Sequence, residues 1–89
     1  MKRVIKFQAL DEKYVFLEED IVVFEIDKND LIFNVKAFYN AFFSEGLDYS
    51  EIELQNDVSD DKEATRIFEC VKSLNEQIVE KLEKELNKL

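Results

Sequence analysis

From Ser59 to Leu89 the chain reads as one amphipathic helix, and no other stretch constrains the fold as strongly. Apolar side chains recur at Ala64, Ile67, Phe68, Val71, Leu74, Ile78, Leu82, Leu86 and Leu89, the three-and-four spacing of a single helical face. Asp60, with Glu63 three residues on, supplies an N-terminal capping signal, so a helix is predicted over 60–89. From Ile67 to Leu89 the apolar steps average about 3.7 residues, nearer the 3.6 of a straight helix than the 3.5 that winds a left-handed coiled coil. The stripe is therefore expected to pack on the chain's own sheet. The charged last two turns, with Glu80 and Lys84 in the favourable order, are expected to project past it.

The residues upstream must supply the other half of that core. Residues 3–9 alternate, Ile5, Phe7 and Ala9 on one face against Val4, Lys6 and Gln8, which is the period of a half-buried strand. Tyr14 to Leu17 is short and β-prone. Ile21 to Asp27 alternates again, with Val22, Phe24 and Ile26 expected inward. Pairing of the first and third segments would bring Lys6 near Glu25 or Asp27. Asp27-Lys28-Asn29-Asp30 is turn chemistry, and Leu31-Ile32-Phe33 is read as a short returning strand, so an antiparallel β-meander is expected over 1–34. Val35, Phe38, Tyr39, Phe42 and Phe43 then predict a helix over 35–45, with Asn34 as its cap and Gly46 as its C′ residue. A possible fourth strand covers 50–55, where Ile52 and Leu54 alternate with Glu51 and Glu53. The predicted fold is α+β: one domain over 1–89, a small antiparallel sheet of three or four strands under a short aromatic helix and the long C-terminal helix.

Several function classes are disfavoured by what is missing. The chain has no His, one Gly and one Cys. Without His, the commonest general base and transition-metal ligand is gone, and a single Gly cannot build a phosphate-wrapping loop. An enzyme is not expected, nor any cofactor or metal. Asp27-Lys28-Asn29 and Asp57 to Asp61 faintly resemble calcium loops, but Ile32 and Phe38, or Lys62 and Phe68, would stand where such a loop needs Gly and Glu. Cys70 is read as a small packing residue in a reducing compartment. Charge interrupts the N-terminus before any leader-like apolar run, and no stretch approaches a membrane span, which points to a cytoplasmic chain.

The net charge is −9, concentrated in residues 10–34 (−6) and 50–65 (−5), while residues 1–9 carry +3. Such a field opposes direct binding to nucleic acid or an anionic membrane. The candidate partner-binding residues are therefore Glu18, Glu19, Asp20, Glu25, Asp27 and Asp30 in the first acidic segment, and Glu51, Glu53, Asp57, Asp60 and Asp61 in the second. Tyr39 and Phe43 join them, because four aromatic rings on a ten-residue helix exceed what one packed face needs. The leading expectation is a non-enzymatic acidic inhibitor that occupies the basic groove of a nucleic-acid-handling protein, by analogy of size and charge with anti-CRISPR-like anti-defence proteins. Its alternatives are a homodimeric structural or adaptor subunit joined through either helix, and an immunity protein or antitoxin. The plain rival is that the acids form solvated surface.

Overall fold

A computed structural model describes residues 2–31, 34–43 and 51–88. The alternating segments become strands β1 (Lys2–Ala9), β2 (Lys13–Glu18), β3 (Ile21–Asp27) and β4 (Glu51–Asn56); the aromatic segment becomes helix α1 (Val35–Phe43), and the long stripe helix α2 (Lys62–Asn87). The class is α+β, as the patterning predicts. The four strands lie in the order β3-β2-β1-β4. The first three form an antiparallel meander, Phe7 opposite Phe16 and Tyr14 opposite Ile26.

Two pairings differ from expectation. β1 and β3 are separated by β2, so Lys6 does not face Glu25; Glu25 instead meets Lys13, Nζ to Oε2 at 3.0 Å. β4 joins β1 in parallel, with Ile5 opposite Leu54, making the sheet mixed. Parallel pairing requires a crossover, and the chain makes it through α1.

Within β3 the register shifts, because Phe16 faces Phe24 while Leu17 faces Val22, leaving Val23 as the extra residue of a β-bulge. One inserted residue reverses the facing of everything beyond it. Val22, expected inward, is exposed, and Val23 packs against the core in its place. Glu19 and Asp20 close the β2–β3 hairpin with φ of 51° and 65°, the double left-handed geometry that usually selects Asn-Gly.

One face of the sheet carries the core. Ile5, Phe7, Tyr14, Phe16, Phe24 and Ile26 meet Phe38, Phe42 and Phe43 of α1 and Ala64, Phe68, Val71 and Leu82 of α2. Phe7 stands within ring-contact distance of Tyr14 (5.6 Å), Phe16 (4.9 Å) and Phe68 (5.5 Å), and such aromatic pairs add about 0.5–1.5 kcal/mol each beyond area burial. The stripe of α2 thus packs on the chain's own sheet, and every residue from Glu83 to Lys88 is exposed.

The caps are those of short polar side chains. Asn34 Oδ1 accepts from the Ala37 N–H at 2.9 Å. At α2 the cap is Asp61 rather than Asp60: its Oδ1 accepts from the N–H groups of Glu63 and Ala64, both at 3.1 Å, worth about 1 kcal/mol. Cys70, expected to pack, is exposed. Asn75 is buried within α2, 7% exposed, and its Oδ1 has no hydrogen-bond partner among the described residues, a loss of about 1–3 kcal/mol. The expected strand at Ile32-Phe33, the last residues of the 35–45 helix, Gly46 as its C′ residue, and Ser50 and Leu89 lie outside the described residues.

Candidate functional site

Topology divides the predicted acidic residues between two ends of the sheet. At the first end β1 and β4 finish, β2 begins and β3 finishes: Phe7 pairs with Asn56, Ala9 with Tyr14, and Lys13 with Asp27. The Asp57 N–H donates to Phe7 O at 3.0 Å, and Gln8 Nε2 donates to Asp57 Oδ2 at 3.3 Å, which fixes the turn into α2 at this end. Glu25, Asp27, Asp30, Asp57, Asp60 and Asp61 therefore lie along this one end, spread from the β3 edge to the β4 edge. Burial pushes the Tyr14 phenol up, and the nearby carboxylates of Glu63 and Asp61 push it further, placing the start of α2 over the same strand ends.

Asp11 and Glu12 belong to this end and were not among the sequence-predicted residues. They form the bend between β1 and β2, where the Leu10 N–H donates to Lys13 O and the Lys28 N–H to Glu12 O. Their signal was positional: a bend between the first two strands must fall at the same end as the close of the third. Counting Asp11, Glu12, Glu25, Asp27, Asp30, Asp57, Asp60, Asp61 and Glu63 against Lys13, Lys28 and Lys62, nine carboxylates meet three lysines. Of these nine, Glu25 alone makes a salt bridge among the described residues. Asp27 Oδ1 accepts from the Asn29 N–H at 2.7 Å and Asp61 caps α2, so both have local structural duties. Lys28 lies over the Tyr14 ring, its Nζ 5.0 Å from the centroid.

The remaining predicted acids sit toward the opposite end, beside the basic N-terminal strand. Glu18 is held by Arg3 through two bonds, Nε to Oε2 at 2.8 Å and Nη2 to Oε1 at 2.7 Å, while Arg3 Nη1 donates to Phe42 O at 2.9 Å. The Arg3 hydrogen bond holds the Glu18 carboxyl below the usual carboxylate range against the opposing effect of burial. Glu53 pairs with Lys2 at 2.9 Å, and that hydrogen bond lowers its carboxyl likewise. Glu19 and Asp20 are exposed in the hairpin turn, and Glu51 is exposed opposite Lys2. The acids of 18–20 and 51–53 thus border basic side chains and do not extend the acidic end.

The two aromatic candidates separate. Phe43 is 1% exposed and packs against Phe38 at 6.2 Å, so it belongs to the core and presents no surface to a partner. Tyr39 is half-buried and lines a groove of about 790 Å³ between α1 and α2 with Val35, Ile78 and Leu82, edged by Lys36, Lys81 and Glu85.

Among the described residues, no group of three His, Cys, Asp or Glu side chains is disposed to hold a metal ion, and no helix is long and apolar enough to cross a membrane. No family model matches this chain, and no curated protein or solved structure matches it either.

Proposed function

We propose that this chain is a non-catalytic protein-binding module whose acidic end enters the basic groove of a nucleic-acid-handling protein. The observation that carries this reading is the gathering of nine carboxylates against three lysines at one end of the sheet, eight of the nine without a salt bridge among the described residues. A concentrated field of one sign speeds encounter with a surface of the other sign and excludes partners of its own. Its most concrete form is an inhibitor of the anti-CRISPR kind acting on a bacterial defence protein. An immunity protein or antitoxin would use the same contact on a different target.

The test uses Asp11, Glu12, Asp30 and Asp60, whose side chains make no hydrogen bond or salt bridge among the described residues, so their reversal leaves caps and turns intact. A partner held at low salt is expected to elute with a salt step and to be competed off by a DNA duplex. The variant Asp11→Lys, Glu12→Lys, Asp30→Lys, Asp60→Lys should bind it at least about tenfold more weakly, whereas Glu19→Lys with Asp20→Lys should change little. Unaltered affinity in the fourfold variant would remove this reading.

The groove between the helices supports a second reading, self-association. Val35 is 53% exposed beside Tyr39, Ile78 and Leu82, and an apolar contact of this kind persists when charge is screened. Light scattering at high salt over about a hundredfold dilution should then show mass falling from dimer to monomer; a constant monomer mass would eliminate it.

A further inference from the structure

Helix α2 is anchored over its first half and weakly held over its second. Asp61 caps its start, Asn56 Nδ2 donates to Thr65 Oγ1 at 3.1 Å, and Ala64, Phe68 and Val71 are buried, the Phe68 ring against that of Phe7. From Asn75 to Lys88, Leu82 is the one buried apolar side chain; Ile78 and Val79 are half-buried, and everything from Glu83 on is exposed. The polar contacts of this stretch stay within α2 and its cap: Gln77 with Ser73, Glu80 with Lys84, and Glu85 with Lys88. Among the described residues, no side-chain hydrogen bond or ion pair joins it to another element. A cleft of about 640 Å³ lies between it and β4, and the groove of about 790 Å³ between it and α1.

Asn75 stands where the two halves meet. Its Oδ1 is buried and unpaired among the described residues, which costs free energy only while water is kept from it. Hydrating that oxygen requires α2 to lift at this point. Asn75 therefore biases the helix toward an open form of the stretch it begins, and a segment with few buried apolar contacts is where a native fold opens locally.

We propose that residues 75–88 form a lid that opens as one unit while the rest of the fold stays closed, with Asn75 as its release. Opening takes Ile78 and Leu82 away from α1 and dismantles the groove they share with Val35 and Tyr39. Whatever occupies that groove binds the closed form alone and holds the lid shut. The acidic end is built on the first residues of α2 and the strand ends beside them, so its carboxylates keep their places in both states. The inference therefore does not depend on what that end binds.

The experiment measures thiol accessibility in the full-length chain. In a Cys70→Ser background, which removes the exposed thiol, Leu82→Cys reports on the lid and Val71→Cys on the anchored half. Each is labelled with an aromatic disulfide reagent at urea concentrations below the unfolding transition. Leu82→Cys is expected to react at least about tenfold faster than Val71→Cys, at a rate that barely changes with urea, whereas Val71→Cys reacts through global unfolding with its steep urea dependence. Adding Asn75→Leu should slow the reaction at position 82 by about tenfold. Because Leu82→Cys itself loosens the lid, hydrogen exchange of the unaltered chain supplies the second reading. There the amides of residues 79–86 should share one level of protection, with a step up at Phe68 and Val71. Protection that falls smoothly toward Lys88 is the fraying of any helix end and would overturn the proposal. So would equal rates and equal urea dependence at positions 71 and 82, and so would an Asn75→Leu substitution that leaves position 82 unchanged.

Discussion

Phe7→Ala is expected to destabilise the fold by about 3–5 kcal/mol, the cost of truncating a fully buried aromatic and leaving its volume unfilled. Phe7 is 0% exposed and stands at the junction of three elements, touching Phe16 and Tyr14 across the β1–β2 pair and Phe68 on α2. No neighbour is free to collapse into the space, because Phe16 is itself held against Phe24 at 5.8 Å and Phe42 at 6.3 Å. A chain of 89 residues has roughly 4–13 kcal/mol of total stability on the usual per-residue scale, so the variant gives up between about a quarter of it and all of it. Val4→Ala on the other face of the same strand, at a site 37% exposed, should cost about 0.5 kcal/mol or less. Urea unfolding of both variants measures the contrast. Equal losses would mean that the face packed against the helices has been wrongly identified.

The elements legible in the sequence were those whose signal is local. Phe7 and Phe24 announce their faces by alternation, and Phe68, Val71 and Leu82 by helical spacing, because burial on one side imposes a period on the residues themselves. The parallel pairing of β4 was not legible: Ile52 and Leu54 alternate identically whichever way the strand runs, and its direction is set by the crossover through α1. Val22 failed because a bulge is a relation between two strands, and nothing in Ile21-Val22-Val23 marks the extra residue. The hairpin at Glu19-Asp20 gave only half a turn signal, since Asp tolerates positive φ but Glu has no such preference and no Gly follows. Asp60 and Asp61 are adjacent carboxylates with equal capping chemistry, and the choice falls on Asp61, the residue with extended backbone, φ −92° and ψ 112°.

The candidate site was half legible for the same reason. Composition located the acids in two segments, but each segment spans strands and turns, and only strand order decides which ends meet. Asp27 and Asp57 lie at the same end of the sheet although thirty positions apart in sequence, while Glu18 and Asp27, nine apart, lie at opposite ends of one hairpin. Asn75 had a usable signal that the apolar pattern passed over: it stands four residues from both Val71 and Val79, on the face that α2 turns to the sheet. A polar residue in that register is either satisfied within the core or satisfied by water when its element lifts away.

Arg3→Met is expected to cost about 2 kcal/mol at neutral pH, and that cost should fade in acid. The guanidinium makes two bonds to Glu18 and one to Phe42 O, joining the starts of β1 and the end of β2 to the last turn of α1. Hydrogen bonds to charged groups contribute about 1.5–3 kcal/mol. Solvent reaches both side chains, 19% exposed for Arg3 and 27% for Glu18, which keeps the estimate below that of a fully buried pair. Because Arg3 hydrogen-bonds the ionised form, the Glu18 carboxyl titrates lower in the folded chain than in the unfolded one. Stability from this pair is therefore complete above the ordinary carboxylate range, begins to fall as pH drops through it, and is lost once pH passes below the lowered folded value. Arg3 stays charged throughout. Denaturant midpoints of parent and Arg3→Met chains, compared from neutral pH down to strong acid, should draw closer toward the acid end, leaving the part due to the pH-independent bond to Phe42 O. A gap that persists undiminished there would assign the cost to the bond with Phe42 O, the packing of the Arg3 stem and its contact over the Phe42 ring, 6.0 Å from guanidinium carbon to centroid, and not to the bond with Glu18.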